Sequence, residues 1–389
     1  MTLVKFSITI LTFNRHELLQ LTISSVVEQN YTNFEILVID NGSTPSVHEI
    51  VAGYCDQRIR IKRIPENIHV CDALESALDE ITGTHFLFLA DDDVLVPDAL
   101  SSVARFFNEH IDAQMVCTGN VMFNHHTKAS NVNPGDLKFF TNDVQSFEGR
   151  EHALACCNGW GIGPKKKFKS MPSALPSATY ISLNLIRITK RRQGMLFVKS
   201  FGDIGYVGCM ANTDKVYYMN SLLTIIGLTP VRETLGCLAG YRRKWDREIQ
   251  YLQHSPIKAP SFLNMGTDAH LQALFKNGLD HYLDSRLRPN FFVRHLRQVI
   301  SDKPWDSRTI NDIIETLPHY CKSLIMFAPH SIWNGFLSFP RKCRREFARV
   351  NARKKSEKKS SNFGKQKLFK DILEFAKWVK VSSETGNVL

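Results

Sequence analysis

Three consecutive carboxylates, Asp91-Asp92-Asp93, are the residues of this sequence that most directly suggest chemistry. They follow the apolar stretch 84–90, which indicates a buried strand. Open α/β sheets bind ligands at the carboxyl ends of their strands, and oxygen-rich sites suit Mg²⁺ or Mn²⁺, which usually also hold substrate phosphates. The run therefore predicts a divalent-cation site, although a run of charges is more often a solvated loop.

Other polar groups with chemical potential also follow strand-like stretches. Asp40 ends the apolar stretch 34–39, so its carboxylate could hydrogen-bond a ribose or a base, but the Asn-Gly-Ser sequence after it equally favours a turn. Segment 12–15 follows the first strand, where nucleotides commonly bind, and plain turn chemistry is its commoner explanation. Asp203 could act as a general base, or it could cap a helix that begins at Ile204.

The first hundred residues alternate between strand and helix patterns, which predicts an α/β fold with a mostly parallel sheet and helices on both faces. The segment 124–180, rich in Asn, Gly, Pro, Lys and Ser, indicates loops with a short helix near 150–157, and the pattern is helical beyond about 240. The predicted strands are 6–11, 34–39, 59–64, 84–90, 115–123, 195–198 and 216–219. The predicted helices are 17–29, 47–54, 70–81 and 97–107.

The composition is that of an ordinary globular protein, with 389 residues, 43% hydrophobic and 22% charged. The nine cysteines show neither a CxxC pair nor zinc-like spacing, which predicts reduced thiols in a cytosolic setting. The sequence indicates no signal peptide, and no apolar run reaches the length of a membrane span.

The net charge of +11 is concentrated near the end of the chain. Residues 341–380 hold 15 Lys/Arg against 4 Asp/Glu, a surplus equal to the net charge of the whole chain. Apolar residues from Leu368 to Val379 alternate with lysines as in a basic amphipathic helix, with Phe369 and Trp378 as possible membrane anchors. A helix on an anionic membrane surface and a helix docked on the protein are equally compatible with this pattern.

Three segments together resemble the family 2 glycosyltransferases of GT-A fold. They are Ser-Ile-Thr-Ile-Leu-Thr-Phe-Asn-Arg at 7–15, the stretch 24–43 that ends in Ile-Asp-Asn-Gly-Ser, and Phe-Leu-Ala-Asp-Asp-Asp at 88–93. The resemblance is strong over residues 4–110 and loose over 111–235. It implies a GT-A catalytic domain at 1–235. The resemblance does not cover the last third of the chain, where the residue pattern and the charge predict a helical region at 236–340 and a basic tail with an amphipathic helix at 341–389.

The resemblance also implies roles for individual residues. Asp93 is expected to bind the metal, together with Asp91, and Asp203 is expected to be the catalytic base, although Gly202 stands where the family often has an acidic residue. His69 lies near the position of a glycine that is frequent in the family. The residues expected to contact the nucleotide sugar are Thr12, Phe13, Asn14, Arg15, Asp40, Asn41, His69, Asp91 and Asp92.

The expected activity is inverting transfer of a hexosyl or N-acetylhexosaminyl group from a nucleotide-diphosphate sugar, a UDP-sugar by preference, to a hydroxyl of a glycan or lipid-linked acceptor. Mn²⁺ or Mg²⁺ is the expected cofactor, and cell-surface polysaccharide is the expected product. An anionic membrane surface, rather than nucleic acid, is the favoured partner of 341–380, which places the enzyme on the inner face of the cell membrane. The alternatives are a nucleotidyltransferase acting on sugar phosphates and a non-catalytic protein that binds nucleic acid or membrane through its basic tail.

Overall fold

The structure is a computed structural model, which describes residues 4–68, 70–130, 143–158, 176–197, 204–229, 276–279 and 368–385. The chain divides into two compact units. The first unit comprises Met1–Ala153, Pro172–Trp245 and Lys367–Leu389, and the second comprises Leu154–Met171 and Asp246–Gln366. The predicted helical pattern beyond 240 lies almost entirely outside the described residues. The site and the packing described below belong to the first unit.

One mixed sheet forms the centre of the first unit. Its strands lie in the order β3-β2-β1-β4-β9-β6-β10-β5, with β7 beside β6 and β8 beside β10. The longer pairings, β1 with β2 and β4, β2 with β3, and β6 with β10, are parallel. The strands are β1 (Phe6–Thr12), β2 (Phe34–Asn41), β3 (Ile59–Ile64), β4 (His85–Ala90), β5 (Val94–Leu95), β6 (Met115–Asn124), β7 (Ala129–Ser130), β8 (Val144–Glu148), β9 (Thr179–Ser182) and β10 (Lys215–Leu228).

Helices connect and cover these strands. Their apolar faces follow from the sequence: in α1, for example, Leu19, Ile23 and Val26 recur at helical spacing and are fully buried. The described helices are α1 (His16–Val27), α2 (His48–Ala52), α3 (Val70–Ala77), α4 (Ala99–Glu109), α5 (Gly149–Asn158), α6 (Leu183–Gln193), α7 (Ile204–Ala211) and α8 (Ile372–Thr385). None of the helices in the described part of the chain is both long and apolar enough to cross a membrane.

The predicted α/β class with a mostly parallel sheet is confirmed. Several elements differ from the sequence expectation. The strands β7, β8 and β9 lie in or overlap segment 124–180, where loops with one short helix were expected, and β5 and α6 were not expected at all. The strand β9 is inserted antiparallel between β4 and β6 and has only four residues, too few for a periodic pattern to be recognised. The strand expected at 195–198 is not formed at its described residues 195–197.

The helix α8 docks on the protein. Its residues Ile372, Phe375 and Val379 are completely buried, and they pack with a core cluster that includes Val94 and Phe123. The face that the sequence pattern offered to a membrane is therefore an internal contact, and the docked-helix alternative is the one observed for residues 372–385.

Candidate active site

The carboxyl ends of three parallel strands lie side by side in the sheet. Thr12 at the end of β1 pairs with Asp40 on β2, and Leu11 pairs with Ala90 on β4. Asp91 follows Ala90 directly. The register therefore brings the three polar segments identified in the sequence to one edge of the sheet, which is where α/β proteins bind ligands.

Asp40 is fully buried and its carboxylate is held by several donors. Oδ1 accepts the Ser43 amide at 2.9 Å, and Oδ2 accepts the Ser46 hydroxyl at 3.1 Å, the Val47 amide at 3.3 Å and the Arg63 guanidinium. Burial alone would raise the pKa of Asp40, but these hydrogen bonds outweigh it and hold the pKa below the ordinary value of a carboxyl. Asp40 is thus a fixed negative charge.

Arg15 joins the first two carboxylates of the acidic run. Its Nη1 lies 3.0 Å from Oδ1 of Asp91 and 3.0 Å from Oδ2 of Asp92. Burial nevertheless raises the pKa of Asp91 to about 6, with Arg15 opposing the rise and Asp92 adding to it, and burial also raises the pKa of Asp92. The pair carries negative charge that one guanidinium does not fully compensate.

The side chain of Asp93 points to other partners. Its Oδ1 accepts the backbone amide of Gly227 on β10 at 2.8 Å, and Ser177 also hydrogen-bonds its carboxyl group. Burial and the neighbouring charge of Asp92 raise the pKa of Asp93 well above the ordinary value. Across the described ranges there is no group of three or more His, Cys, Asp or Glu side chains arranged to hold a metal ion.

The residues present fit a cation at Asp91 and Asp92 better than at Asp93. Oxygens of Asp91 and Asp92 converge on one positive group at equal distances, which is the arrangement that two carboxylate ligands of a divalent cation would need. The oxygen of Asp93 bonded to Gly227 would have to exchange that amide for a metal.

The loops around these carboxylates are joined by asparagine side chains. Asn14 has a φ of 56°, and its Oδ1 accepts a hydrogen bond from the Thr44 backbone amide at 2.7 Å. The backbone amide of Asn14 donates to the Ser43 hydroxyl at 3.0 Å. Asn41 donates to the Ile68 carbonyl at 2.9 Å and accepts the Ile68 amide at 3.1 Å. Both side chains hold the loops in place through bonds within the protein, whereas Phe13 exposes 43% of its surface.

Two of the expected site residues cannot be located. His69 directly follows the segment held by Asn41, and Asp203 directly precedes α7, but both lie outside the described residues. The nucleotide-contact role of His69 and the base role of Asp203 therefore remain predictions.

Sequence reasoning missed three residues that shape the site. Arg63 neutralises Asp40, Gly227 accommodates the acidic run, and His125 holds the Asp92 carbonyl through Nε2 at 3.0 Å. A side chain at Gly227 would place its Cβ 1.8 Å from the oxygen of Asp92, so only glycine fits there. Each of the three lies at or just beyond the carboxyl end of a strand, which is the signal that could have drawn attention to them.

The family model described as glycosyl transferase family 2 matches residues 7–169. Residues 7–169 are a family 2 glycosyltransferase domain. This segment contains the ends of β1, β2 and β4 and all the site residues named above except Ser177, Asp203 and Gly227. The fold class that the sequence resemblance implied is the one observed.

Curated relatives match about a quarter of the chain. The PGL/p-HBAD biosynthesis glycosyltransferase of Mycobacterium bovis is 36% identical over 115 residues, 28% of this chain and 44% of that protein. The putative teichuronic acid biosynthesis glycosyltransferase TuaG of Bacillus subtilis is 28% identical over 99 residues, 25% of this chain and 39% of that protein. The chain thus spans less than half the length of these relatives.

Among solved structures, S. aureus TarS 1–349 in complex with UDP-GlcNAc is similar to this chain with a TM-score of 0.46 and 14% identity. The match covers 82% of this chain and 90% of that one. A likeness of this strength carries no argument about substrate or mechanism.

Proposed function

We propose that the protein is an inverting glycosyltransferase that moves a hexosyl or N-acetylhexosaminyl group from a nucleotide-diphosphate sugar, preferably a UDP-sugar, to a hydroxyl of a glycan or lipid-linked acceptor. The observation that carries the proposal is the edge of the sheet where the Asp91–Asp92 pair, bridged by Arg15, lies beside the fixed charge of Asp40. The names of the relatives favour cell-surface glycan synthesis as the setting.

The nucleotide is assigned to the ends of β1 and β2. Asp40 is the proposed partner of the base, and the exposed ring of Phe13 offers a surface for stacking. Four protein groups donate hydrogen bonds to the Asp40 carboxylate, so the base would have to share one of its oxygens with them or displace the exposed Arg63. The other proposed contacts are Thr12, Asn14, Arg15, Asn41 and His69.

The diphosphate is assigned to the acidic run, with Mn²⁺ or Mg²⁺. Asp91 and Asp93 are the proposed metal ligands, and Asp91 and Asp92 the proposed neighbours of the sugar-diphosphate. Because oxygens of Asp91 and Asp92 converge on one positive group, Asp92 is proposed as a further ligand of the cation. The chemistry that such a cation supplies is neutralisation of charge on a departing diphosphate.

The proposed reaction is one in-line displacement. The acceptor oxygen attacks the anomeric carbon, the bond from that carbon to the diphosphate oxygen breaks on the opposite face, and Asp203 takes the hydroxyl proton. A single displacement inverts the configuration at the anomeric carbon. Arg15 bridges Asp91 and Asp92, and its guanidinium would be able to bind a phosphate oxygen if a cation replaced it at these carboxylates.

We propose that the protein attaches to anionic lipids on the inner face of the cell membrane, and that this attachment depends on the positive charge of its tail. The surplus of Lys and Arg at 341–380 supports it, whereas the docked face of α8 does not. We expect co-sedimentation with vesicles containing anionic lipid, no co-sedimentation with zwitterionic vesicles, and loss of binding at high salt. Equal binding to duplex DNA at the same salt would contradict a membrane-specific role.

A thermal-shift screen of nucleotide diphosphates and nucleotide sugars, with and without Mn²⁺, tests the proposal. A ligand present at 100 times its Kd stabilises the folded state by about 2.7 kcal/mol, so the matching nucleotide is expected to raise the Tm only with the metal present. The hit is then assayed for slow hydrolysis and for transfer. Release of pyrophosphate from a nucleoside triphosphate and a sugar phosphate would instead show a nucleotidyltransferase.

The base is tested by Asp203→Asn, which is expected to leave donor binding near normal and to reduce turnover by orders of magnitude. Asp79→Asn, at an exposed carboxylate that pairs with Lys190, is the control. Normal turnover in Asp203→Asn would exclude that residue as the base, and Asp214 would be the next candidate.

A further inference from the structure

We infer that the C-terminal helix α8 is a positioning element of the acidic site, although almost 280 residues separate it from Asp91–Asp93. The inference builds on the proposed function, because it assigns the helix to the site proposed for the metal and the diphosphate. Three contacts that share one apolar cluster connect α8 with the acidic run.

The first contact runs through the strand that follows the run. Val94 and Val96 come directly after Asp93, are completely or almost completely buried, and pack in the same cluster as Ile372, Phe375 and Val379 of α8. Removing the helix would expose the apolar residues that hold the downstream side of the acidic run in place.

The second contact runs through aromatic rings. Phe375 stacks on Phe123 of β6 with ring centroids 5.5 Å apart, and Phe123 meets the ring of His125 edge-on, also at 5.5 Å. His125 Nε2 lies 3.0 Å from the carbonyl oxygen of Asp92. Because a carbonyl oxygen can only accept a hydrogen bond, Nε2 must carry the hydrogen. The chain of contacts leads from the first turn of α8 to the backbone of the acidic run.

The third contact runs through β10. Leu222 and Ile225 pack in the cluster with α8, and Gly227, two residues further along the strand, donates its amide to Asp93. Two strands that contact the helix, β6 and β10, thus end beside groups that are bonded to Asp92 or Asp93.

Backbone hydrogen bonds and an ion pair also hold α8 in this position. The Phe369 amide donates to the Lys128 carbonyl at 3.0 Å, and Leu368 forms a β-bridge with Ala129. Lys380 lies 3.3 Å from Asp98 at the start of α4. These contacts specify the position of α8, which a purely apolar surface would not do.

Hydrogen exchange at the acidic run tests the inference without relying on catalysis. In full-length Phe375→Ala, we expect peptides covering Asp93 and Gly227 to exchange at least about tenfold faster than in wild type. The control is Phe34→Ala, an equal truncation of a core residue at the amino end of β2. The two variants are compared at denaturant concentrations that give them the same global free energy of unfolding. Under these conditions, Phe34→Ala should change the exchange rate of these peptides by less than about twofold relative to wild type.

Further variants keep the test decisive. Phe375→Leu is expected to restore most of the protection, and the milder Val379→Ala replaces Phe375→Ala if that variant does not fold. His125→Phe keeps a ring next to Phe123 but removes the bond to Asp92, so it should accelerate exchange at the run without loosening α8. The Mn²⁺ affinity of each folded variant, measured by electron paramagnetic resonance, is expected to fall in parallel.

Equal exchange at Asp93 and Gly227 in Phe375→Ala and Phe34→Ala would overturn the inference. If the wild-type protein bound neither Mn²⁺ nor a nucleotide sugar, while hydrogen exchange in the variants changed as expected, the proposed function would be refuted. The positioning role of α8 would still stand.

Discussion

Two carboxylate sites at adjacent strand ends are compensated in opposite ways. Asp40 accepts hydrogen bonds from two amides, a hydroxyl and a guanidinium, and its pKa lies below the ordinary value. Asp91, equally buried, shares a single arginine with Asp92, and its pKa rises to about 6. The protein alone satisfies the first charge and leaves the second short of positive charge.

This difference agrees with the separate roles proposed for the two sites. A carboxylate whose partners are built into the fold offers a rigid acceptor that needs no reorganisation, as a site for a neutral base requires. Buried carboxylates with too little positive charge around them are stabilised by whatever cation enters, as a metal–diphosphate site requires. Replacing one member of each site should therefore affect stability in opposite directions.

The largest effect is expected for Asp91→Asn. The variant removes a proposed metal ligand, so turnover should fall at least about 10³-fold, or about 4 kcal/mol in the transition state. Because it also removes a buried charge, its Tm without metal at pH 7.5 should be equal to or higher than that of wild type. Transfer assays and calorimetry measure the two quantities, and a loss of Tm would mean that Asp91 belongs with Asp40 as a structural charge.

Gly227→Ala should have the next largest effect. A Cβ at this position would lie 1.8 Å from the backbone oxygen of Asp92 and 2.6 Å from Nε2 of His125, so the acidic run must shift. We expect a loss of about a hundredfold in kcat/KM, in line with the cost of small misplacements in an active site. Gly53→Ala is the matched control, because a Cβ there meets only atoms at 3.4 Å. Similar kinetics for both variants would show that the run tolerates displacement.

The regular part of the fold was predictable because its signals are local. The parallel strands at 6–11, 34–39 and 84–90 are short apolar runs ended by polar residues, and the observed β1, β2 and β4 match them within two residues at each end. The parallel register then follows, and with it the meeting of Thr12, Asp40 and Asp91 at one edge. Much of the candidate site was therefore predictable from strand ends alone.

The interior contacts were not predictable, because they depend on long-range packing. The place of Gly227 near the end of a strand hints at the site, but its need for a missing side chain arises only because β10 passes the Asp92 carbonyl. The amphipathic pattern of α8 predicted a buried face but not what buries it. The orientations within Asp91–Asp93 likewise depend on the partners, Arg15 for two carboxylates and Gly227 for the third.

Asp40→Asn should lower stability where Asp91→Asn does not. The amide cannot satisfy all the donors around this position and leaves Arg63 without its counter-charge, so we expect a loss of about 2 kcal/mol in the free energy of unfolding at pH 7. Since the folded-state pKa is lowered, the contribution of the charge is present above the ordinary pKa of about 3.8 and disappears as the pH falls further. Urea unfolding should therefore show the difference from wild type shrinking below about pH 4. A difference that did not depend on pH would mean that shape, not charge, matters at Asp40.

The smallest expected effect concerns His152, a buried residue outside both carboxylate sites. His152 is buried, lies 2.5 Å from the Tyr218 hydroxyl through Nε2, and has its pKa lowered by burial to about 4. The unfolded chain gains the proton first on acidification, so stability falls as the pH drops from about 6.5 towards 4, by about 1 kcal/mol at pH 5.5.

Asp91 acts in the opposite direction over part of this range, because its raised pKa makes ionisation costly to the folded state as the pH rises from about 4 to 6. Measuring the free energy of unfolding from pH 7 to 5.5 in wild type, His152→Gln and Asp91→Asn separates the two. The histidine variant should lose less stability than wild type on acidification, and the aspartate variant should lose more. If all three slopes coincided, the buried acidic run would already be neutralised by groups of the protein, and the contrast with Asp40 would no longer imply an incoming cation.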